Sequence, residues 1–538
     1  VRHSLSPVSP PAARFVPKDL DRGDWPWLLS LLAVGCLTLA ALALTASSLV
    51  DAQSGVGPSL SRGVPLDDAW IHFQFARNLA RGDGFAFNPG HPTAGSTAPL
   101  WSLLLAGVHA LGGPFPLAGQ LLSAVCFLTV LAATYALTRR LTARRLTARR
   151  WTAWLAGVVV AVNGRMVWAG LSALETCLFA ALTLAAIAAH LSDRQTGRYR
   201  LRTTALFGLA ALVRPEGYLL FALALADRAL PALASSSPVS RLASRASQLL
   251  PTAAVFGVLV LPYLVFSLRT AGHLLPNTFS AKATFSFRPD LDFLSIAARY
   301  LVLDNPPLLP FVVLGVVALF GRAPLLGAWT AGLPLVYAFL HAVLYQHGRY
   351  LMPLIPCNAV AGVVGLLEAR KLAQRRGWGW PSSQRLLAGI VVLVILAGSA
   401  WRLPTMARQF AWNVENVNEM HVAVGQWVVE NTPPDAVLAL NDIGAITYVS
   451  RREVVDLAGL VTPEVVPMLR APDRAPQLIS FMADREVDYV IIFPDWFPGL
   501  ARQDDLLTPV HQVTVERRTI TGGRTMVVYR ADWGAEVQ

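Results

Sequence analysis

The sequence predicts a polytopic α-helical membrane protein with a small α/β domain at its C-terminal end. Three observations predict it. Of 538 residues, 54% are hydrophobic and 14% charged, and the mean hydropathy is +0.48, so there are too few charges to cover a water-soluble globule of this length. The apolar residues fall into runs of about 17–25, enough to cross roughly 30 Å of hydrocarbon, with Arg-rich loops between them. From about residue 404 the composition changes to that of a soluble domain. The net charge of +12 comes from Arg residues in short loops, the cytoplasmic bias of membrane proteins, and not from a nucleic-acid-binding face. Cys36, Cys126, Cys177 and Cys357 lie singly in apolar segments, as packing residues do, with no disulfide or metal spacing.

A basic lead (Arg2, Arg14, Lys18, Arg22) precedes an apolar run at about 25–50, long enough to be a retained first span instead of a cleaved leader. A polar stretch at about 51–97 opens the first external loop, 51–114 with its membrane-surface helices. It holds Asp67-Asp68-Ala69-Trp70-Ile71, which opens an amphipathic helix, then the turns Gly82-Asp83-Gly84 and Asn88-Pro89-Gly90. The short apolar piece at about 98–112 is placed on the outer membrane face. Were it a span, the repeat Arg139 to Arg150 would fall outside, against the positive-inside rule. Spans are expected at about 115–138, 151–169 and 171–191.

Basic loops flank both ends of 203–226. A hairpin of two short helices broken at Val213-Arg214-Pro215-Glu216-Gly217 satisfies both, because Pro215 disfavours helix for Arg214. Further spans at about 249–268, 306–321, 324–345, 350–368 and 386–402 bring the count to about eleven and leave the C-terminal portion outside. The domains are thus 1–403, transmembrane, and 404–538, soluble and extracytoplasmic. In the latter a helix at about 415–431, strand patterns at Val437–Asn441 and Val487–Phe493, and a helix near 476–485 alternate as in an α/β domain. It has no P-loop, GxGxxG or nucleophile elbow.

The chemistry-bearing residues gather towards the outer side. Asp67 and Asp68 read either as a helix cap with a first-turn charge or as a base and a partner with a different task, since successive helical side chains diverge by about 100°. His72 follows Asp68 by one turn and reads as a structural or a hydroxyl-binding residue. Trp101 reads as a sugar contact or a membrane-belt anchor. Glu175, Arg214 and Glu216 are ionisable residues at membrane depth, which points to function or to mutual pairing. Arg269, His273, Lys282 and Arg349 are outer cations suited to a phosphate or to snorkelling.

Taken together, Asp67 to Ile71 with Arg77-Asn78-Leu79, Phe87 to Gly90, Gly170 to Thr176, Arg214 to Gly217, Leu275 to Lys282 and Arg349 to Pro353 resemble the GT-C class of integral-membrane glycosyltransferases. The likeness is to the bacterial branch with the terminal arabinofuranosyltransferase of mycobacterial cell walls. The block Asn441 to Leu460 resembles that branch's C-terminal domain. The resemblance implies a GT-C fold in a bacterial plasma membrane with an extracytoplasmic site, and a polyprenyl-phosphate sugar donor, a pentofuranose such as arabinose included. It implies a glycan, lipid or protein acceptor and inversion at the anomeric carbon. Carried over, Asp67 is the general base with Asp68 beside it. Lys282, Arg214, Arg349 and His273 face the donor phosphate, and His72, Glu175, Glu216, Asn277 and Trp101 line the substrates. Some members use a divalent metal, for which the sequence shows no ligand set.

Two departures stand out: His72 where the branch often has a small polar residue, and Ala173-Leu174 where Gly-Met is commoner. Two other classes compete, a lipid-sugar flippase or transporter and a non-catalytic membrane receptor. The first predicts related halves, which the sequence does not show.

Overall fold

The computed structural model describes residues 20–54, 63–142, 146–197, 200–233, 238–274, 276–277, 285–341, 346–377 and 383–534. The chain begins with α1 (Trp25–Ser54), followed by α2 (Asp67–Arg81) and α3 (Pro99–Ala110), then α4 (Leu117–Leu141), α5 (Leu146–Ala161), α6 (Gly164–Leu171) and α7 (Thr176–Thr196). Next are α8 (Leu201–Val213), α9 (Glu216–Leu233), α10 (Pro238–Ala271), α11 (Leu291–Asp304), α12 (Leu309–Arg322), α13 (Pro324–Phe339), α14 (Leu354–Arg375) and α15 (Ser383–Ala400).

Among the described residues, five helices are long and apolar enough to cross a membrane, or up to seven if each bent pair is one span. The sequence predicts about eleven; two of the expected spans are broken, and α8 and α13 are apolar helices shorter than a full span. Asn163 accepts a hydrogen bond from the Met166 backbone N–H at 3.2 Å and starts α6 as a new helix, so the expected span at 151–169 is two pieces bent by 67°. Asn305 does the same for Leu308 at 3.1 Å, and α11 meets the following helix at 100°. The hairpin at 203–226 is present: Arg214 is extended (φ −154°, ψ 143°) between α8 and α9, and Gly217 lies so close to the Ala210–Ala211 backbone that a Cβ would come within 2.3 Å of it. Leucines and valines on α10 and α12 point outward, Val258 and Val317 at 72% and 67% exposure, as lipid-facing side chains do.

After α15, α16 (Leu403–Val417) buries Met406, Phe410 and Ala411 in the same apolar cluster as the membrane helices, contacting α1 and α6. A π-helical turn, Asn418–Val422, leads to α17 (Ala423–Asn431). Then come β1 (Val437–Leu440), α18 (Gly444–Ser450), β2 (Glu453–Asp456), α19 (Val465–Leu469), α20 (Ala475–Ala483), β3 (Tyr489–Ile492), β4 (Leu507–Thr514) and β5 (Thr525–Ala531). The sheet order is β2-β1-β3-β5-β4. β1 is parallel to β2 and β3, and the two C-terminal strands are antiparallel. The strands and helices expected from sequence in this part are found.

Helix α2 joins the two parts. Ala69, Trp70, Phe73 and Ala76 enter the membrane-side cluster, while Ile71 and Phe75 enter a cluster with Met420, Val424, Leu438 and Ile446 of the C-terminal domain. A helix buried on both faces reads as aromatic and apolar all round, which accounts for Trp70-Ile71-His72-Phe73-Gln74-Phe75.

Candidate functional site

Leu66, in extended conformation, is the N-cap of α2, and Asp67 is its first residue; Asp67 therefore caps nothing in its own helix. Its carboxylate reaches across to the C-terminal domain, accepting hydrogen bonds from the backbone N–H of Gly444 at 2.8 Å and Ala445 at 2.7 Å. Only glycine allows that approach: a Cβ at position 444 would lie 2.2 Å from the Asp67 carbonyl oxygen. Asp442 and His421 complete the surroundings, with His421 Nε2 at 2.9 Å from Asp442 Oδ2. Burial, with the nearby Asp442 carboxylate adding to it and His421 opposing it, pushes the Asp67 carboxyl up to about 6. Asp67 still keeps part of its surface open.

Asp68, the next residue, faces a different set of groups. It is ion-paired with the buried Arg349. One turn on, His72 Nε2 is 3.8 Å from Glu175 Oε2. His72 Nδ1 sits 3.1 Å from Ser102 Oγ and 3.4 Å from Ser96 Oγ. Burial lowers the His72 pKa despite Glu175 and Asp68, so its imidazole is neutral at pH 7. Glu175 in turn accepts from Arg214 Nη1 at 2.7 Å, and Arg214 Nη2 donates to Glu216 at 2.8 Å. Tyr337 donates to the same Glu216 oxygen. The Arg214 and Arg349 guanidinium groups lie 5.0 and 5.4 Å from the Tyr350 ring centroid. Segments far apart in sequence thus meet in one buried run of alternating charge, and such groups are retained in an apolar interior only when paired.

The run is held by strained backbone. Ala173, in the turn between α6 and α7, has φ 58°, a left-handed conformation costing roughly 1–2 kcal/mol for a non-glycine residue. Trp101 donates its indole N–H to the Ala173 carbonyl at 3.2 Å, and Ser123 donates to the Ala169 carbonyl at 2.9 Å. Glycine is the residue such a turn favours.

The structure brings together Asp68, Arg349, His72, Glu175, Arg214 and Glu216. It turns Asp67 to the neighbouring C-terminal-domain groups. Trp101 is fully buried and supports the Ala173 turn. Asn277, also fully buried, donates to the Leu460 carbonyl at 3.1 Å and so ties the segment after α10 to the C-terminal domain. His273 follows the C-terminal end of α10, half-buried, its carbonyl accepting from Ser267 at 2.9 Å. Lys282 lies outside the described residues. Sequence reasoning missed His421 and Asp442 as neighbours of Asp67, since neither follows a recognisable spacing from it, as well as Ser102 and Tyr337. No three His, Cys, Asp or Glu side chains among the described residues are grouped to hold a metal ion. Asp68, Glu175 and Glu216 each face an arginine, a poor fit to a divalent cation.

A family model described as a domain of unknown function (DUF8728) matches residues 410–533. No curated protein matches the chain. Solved structures do. ArnT from Cupriavidus metallidurans in the apo state aligns over 96% of this chain and 99% of that one, with 15% identity and a TM-score of 0.58. Its complex with undecaprenyl phosphate aligns over 95% and 99%, with 14% identity and a TM-score of 0.58. An oligosaccharyltransferase of Archaeoglobus fulgidus, tethered with an acceptor peptide, covers 86% of this chain and 69% of its own, with 14% identity and a TM-score of 0.58. At such identity the likeness concerns architecture alone, and over nearly the whole chain that architecture is the GT-C fold of integral-membrane glycosyltransferases.

Proposed function

We propose that the protein is an inverting glycosyltransferase that moves a sugar from a polyprenyl-phosphate donor to an extracytoplasmic acceptor. The observation that carries the reading is the contrast between adjacent carboxylates, one held by Arg349 and the other raised to about 6 beside the C-terminal domain. Neighbouring acids held in different surroundings divide the work. Asp67, ionised at pH 7 and more basic than an ordinary carboxylate, takes the proton of the acceptor hydroxyl. The acceptor oxygen bonds to the anomeric carbon, the carbon–phosphate-oxygen bond breaks, and the electron pair leaves with the lipid phosphate. Arg349 meets the charge that develops there, and Asp68 keeps Arg349 in place between turnovers.

Arg214 is already shared by two carboxylates, so its proposed task is to fix Glu175 and Glu216 against the sugar hydroxyls, with neutral His72 beside them. Lys282 is the proposed second phosphate cation. ArnT from Cupriavidus metallidurans was solved with undecaprenyl phosphate, which supports this donor class. The C-terminal domain, whose Gly444, Ala445 and Asp442 surround the base, presents the acceptor. Asp67→Asn tests the reading: transfer from a polyprenyl-phosphate sugar should fall by about 10²–10⁴-fold with unchanged yield, and full activity refutes the base.

A further inference from the structure

Ahead of Arg349 the backbone does something uncommon. Gln346, His347 and Gly348 have consecutive φ of 56°, 61° and 65°. Glycine adopts this region freely, but two non-glycine residues in a row are strained and persist only where their surroundings leave no alternative.

Those surroundings centre on Arg165 of α6, one of the largest fully buried side chains in the protein. Its Nε donates to the His347 carbonyl at 2.9 Å and its Nη2 to the Gly348 carbonyl at 2.7 Å. Nη1 donates to Asp304 Oδ2 at 2.7 Å, and the guanidinium lies 4.4 Å from the Tyr300 ring centroid. The planar fork therefore holds two successive carbonyls and one carboxylate, which a lysine cannot do. Gly348 has no room to move: a Cβ there would lie 2.7 Å from Tyr300 and 3.0 Å from Arg165 Nη2. On the far side His347 Nε2 is 2.8 Å from Asn413 Nδ2. Burial, helped by Arg165 and Arg402, takes the His347 pKa down to about 4, so its neutral ring accepts the Asn413 N–H. The next peptide carries Arg349, buried and paired with Asp68.

We infer that Arg165 is a positioning residue for Arg349, fixing the left-handed run so that the Arg349 guanidinium is aimed at the donor phosphate. The inference rests on the phosphate-binding role proposed above for Arg349. A purely structural Arg165 would matter equally whether or not Arg349 is present.

The test is the affinity of the full-length, purified protein for undecaprenyl phosphate, measured for wild type, Arg165→Lys, Arg349→Ala and the double variant. Each single variant should weaken binding by about tenfold, and the double variant should be no weaker than Arg349→Ala, the non-additivity of residues acting through one another. Losses that multiply overturn the positioning role and leave Arg349's own role standing. Unchanged affinity in Arg349→Ala overturns that role and the inference together. Asn413→Ala, which releases His347 from the opposite side, gives a second route. A loss that disappears in the Arg349→Ala background supports the inference; an additive loss, or none, contradicts it.

Discussion

Asp67 and Asp68 differ by one position and by almost everything else. Their divergence was legible in the sequence, since adjacent residues of a helix point about 100° apart. What each one faces was not, because His421, Asp442 and Gly444 lie more than 350 residues away and come beside Asp67 only through tertiary packing. The raised Asp67 pKa makes two opposite predictions. As a base, Asp67 must be ionised, so transfer should fall as pH drops through about 6. For stability the sign reverses. A carboxyl whose folded pKa exceeds its unfolded value of about 4 binds protons more tightly when folded, so its ionisation weakens the fold as pH rises from 4 to 6 and fully so above 6. Thermal stability from this group should therefore increase on acidification through that window while activity declines. Both pH dependences should vanish in Asp67→Asn, as measured by melting and transfer between pH 4 and 8; a docking role alone would remove only the first.

At the scale of elements, the sequence showed where chemistry forces a break and hid where a side chain chooses one. Pro215 announced the α8–α9 hairpin. The break between α5 and α6 depends on Asn163 capping α6 and not continuing the helix, and Asn inside an apolar run gives little notice of that choice. The turn holding Glu175 is strained at Ala173, so Ala173→Gly should stabilise the protein by about 1 kcal/mol, read as a higher melting temperature with transfer retained. Gly444→Ala should do the reverse. With a Cβ 2.2 Å from the Asp67 carbonyl oxygen, α18 cannot seat on α2. Faster proteolysis between residues 432 and 445 and loss of transfer should follow.

The molecule as a whole is a membrane bundle and a small α/β domain clamped on one shared helix. Composition revealed both parts. It did not reveal that α2 is buried between them, although its unbroken run of aromatic and apolar residues is the pattern such burial requires. Asn88 and Val454 exchange hydrogen bonds at 2.8 and 3.1 Å, and Thr93 donates to the Val461 carbonyl at 3.3 Å. The segment that follows α2 is therefore bound to the C-terminal domain through Asn88 and Thr93, and in the proposed reading donor and acceptor meet at Asp67 and Asp68. The most direct measurement is sugar transfer by the purified protein across a panel of polyprenyl-phosphate donors, pentofuranoses included, with wild type and Asp67→Asn compared at equal yield and equal affinity for undecaprenyl phosphate. The account predicts transfer from at least one donor by wild type and a loss of about 10²–10⁴-fold in the variant; undiminished transfer by Asp67→Asn, or none from any donor by wild type, would contradict it.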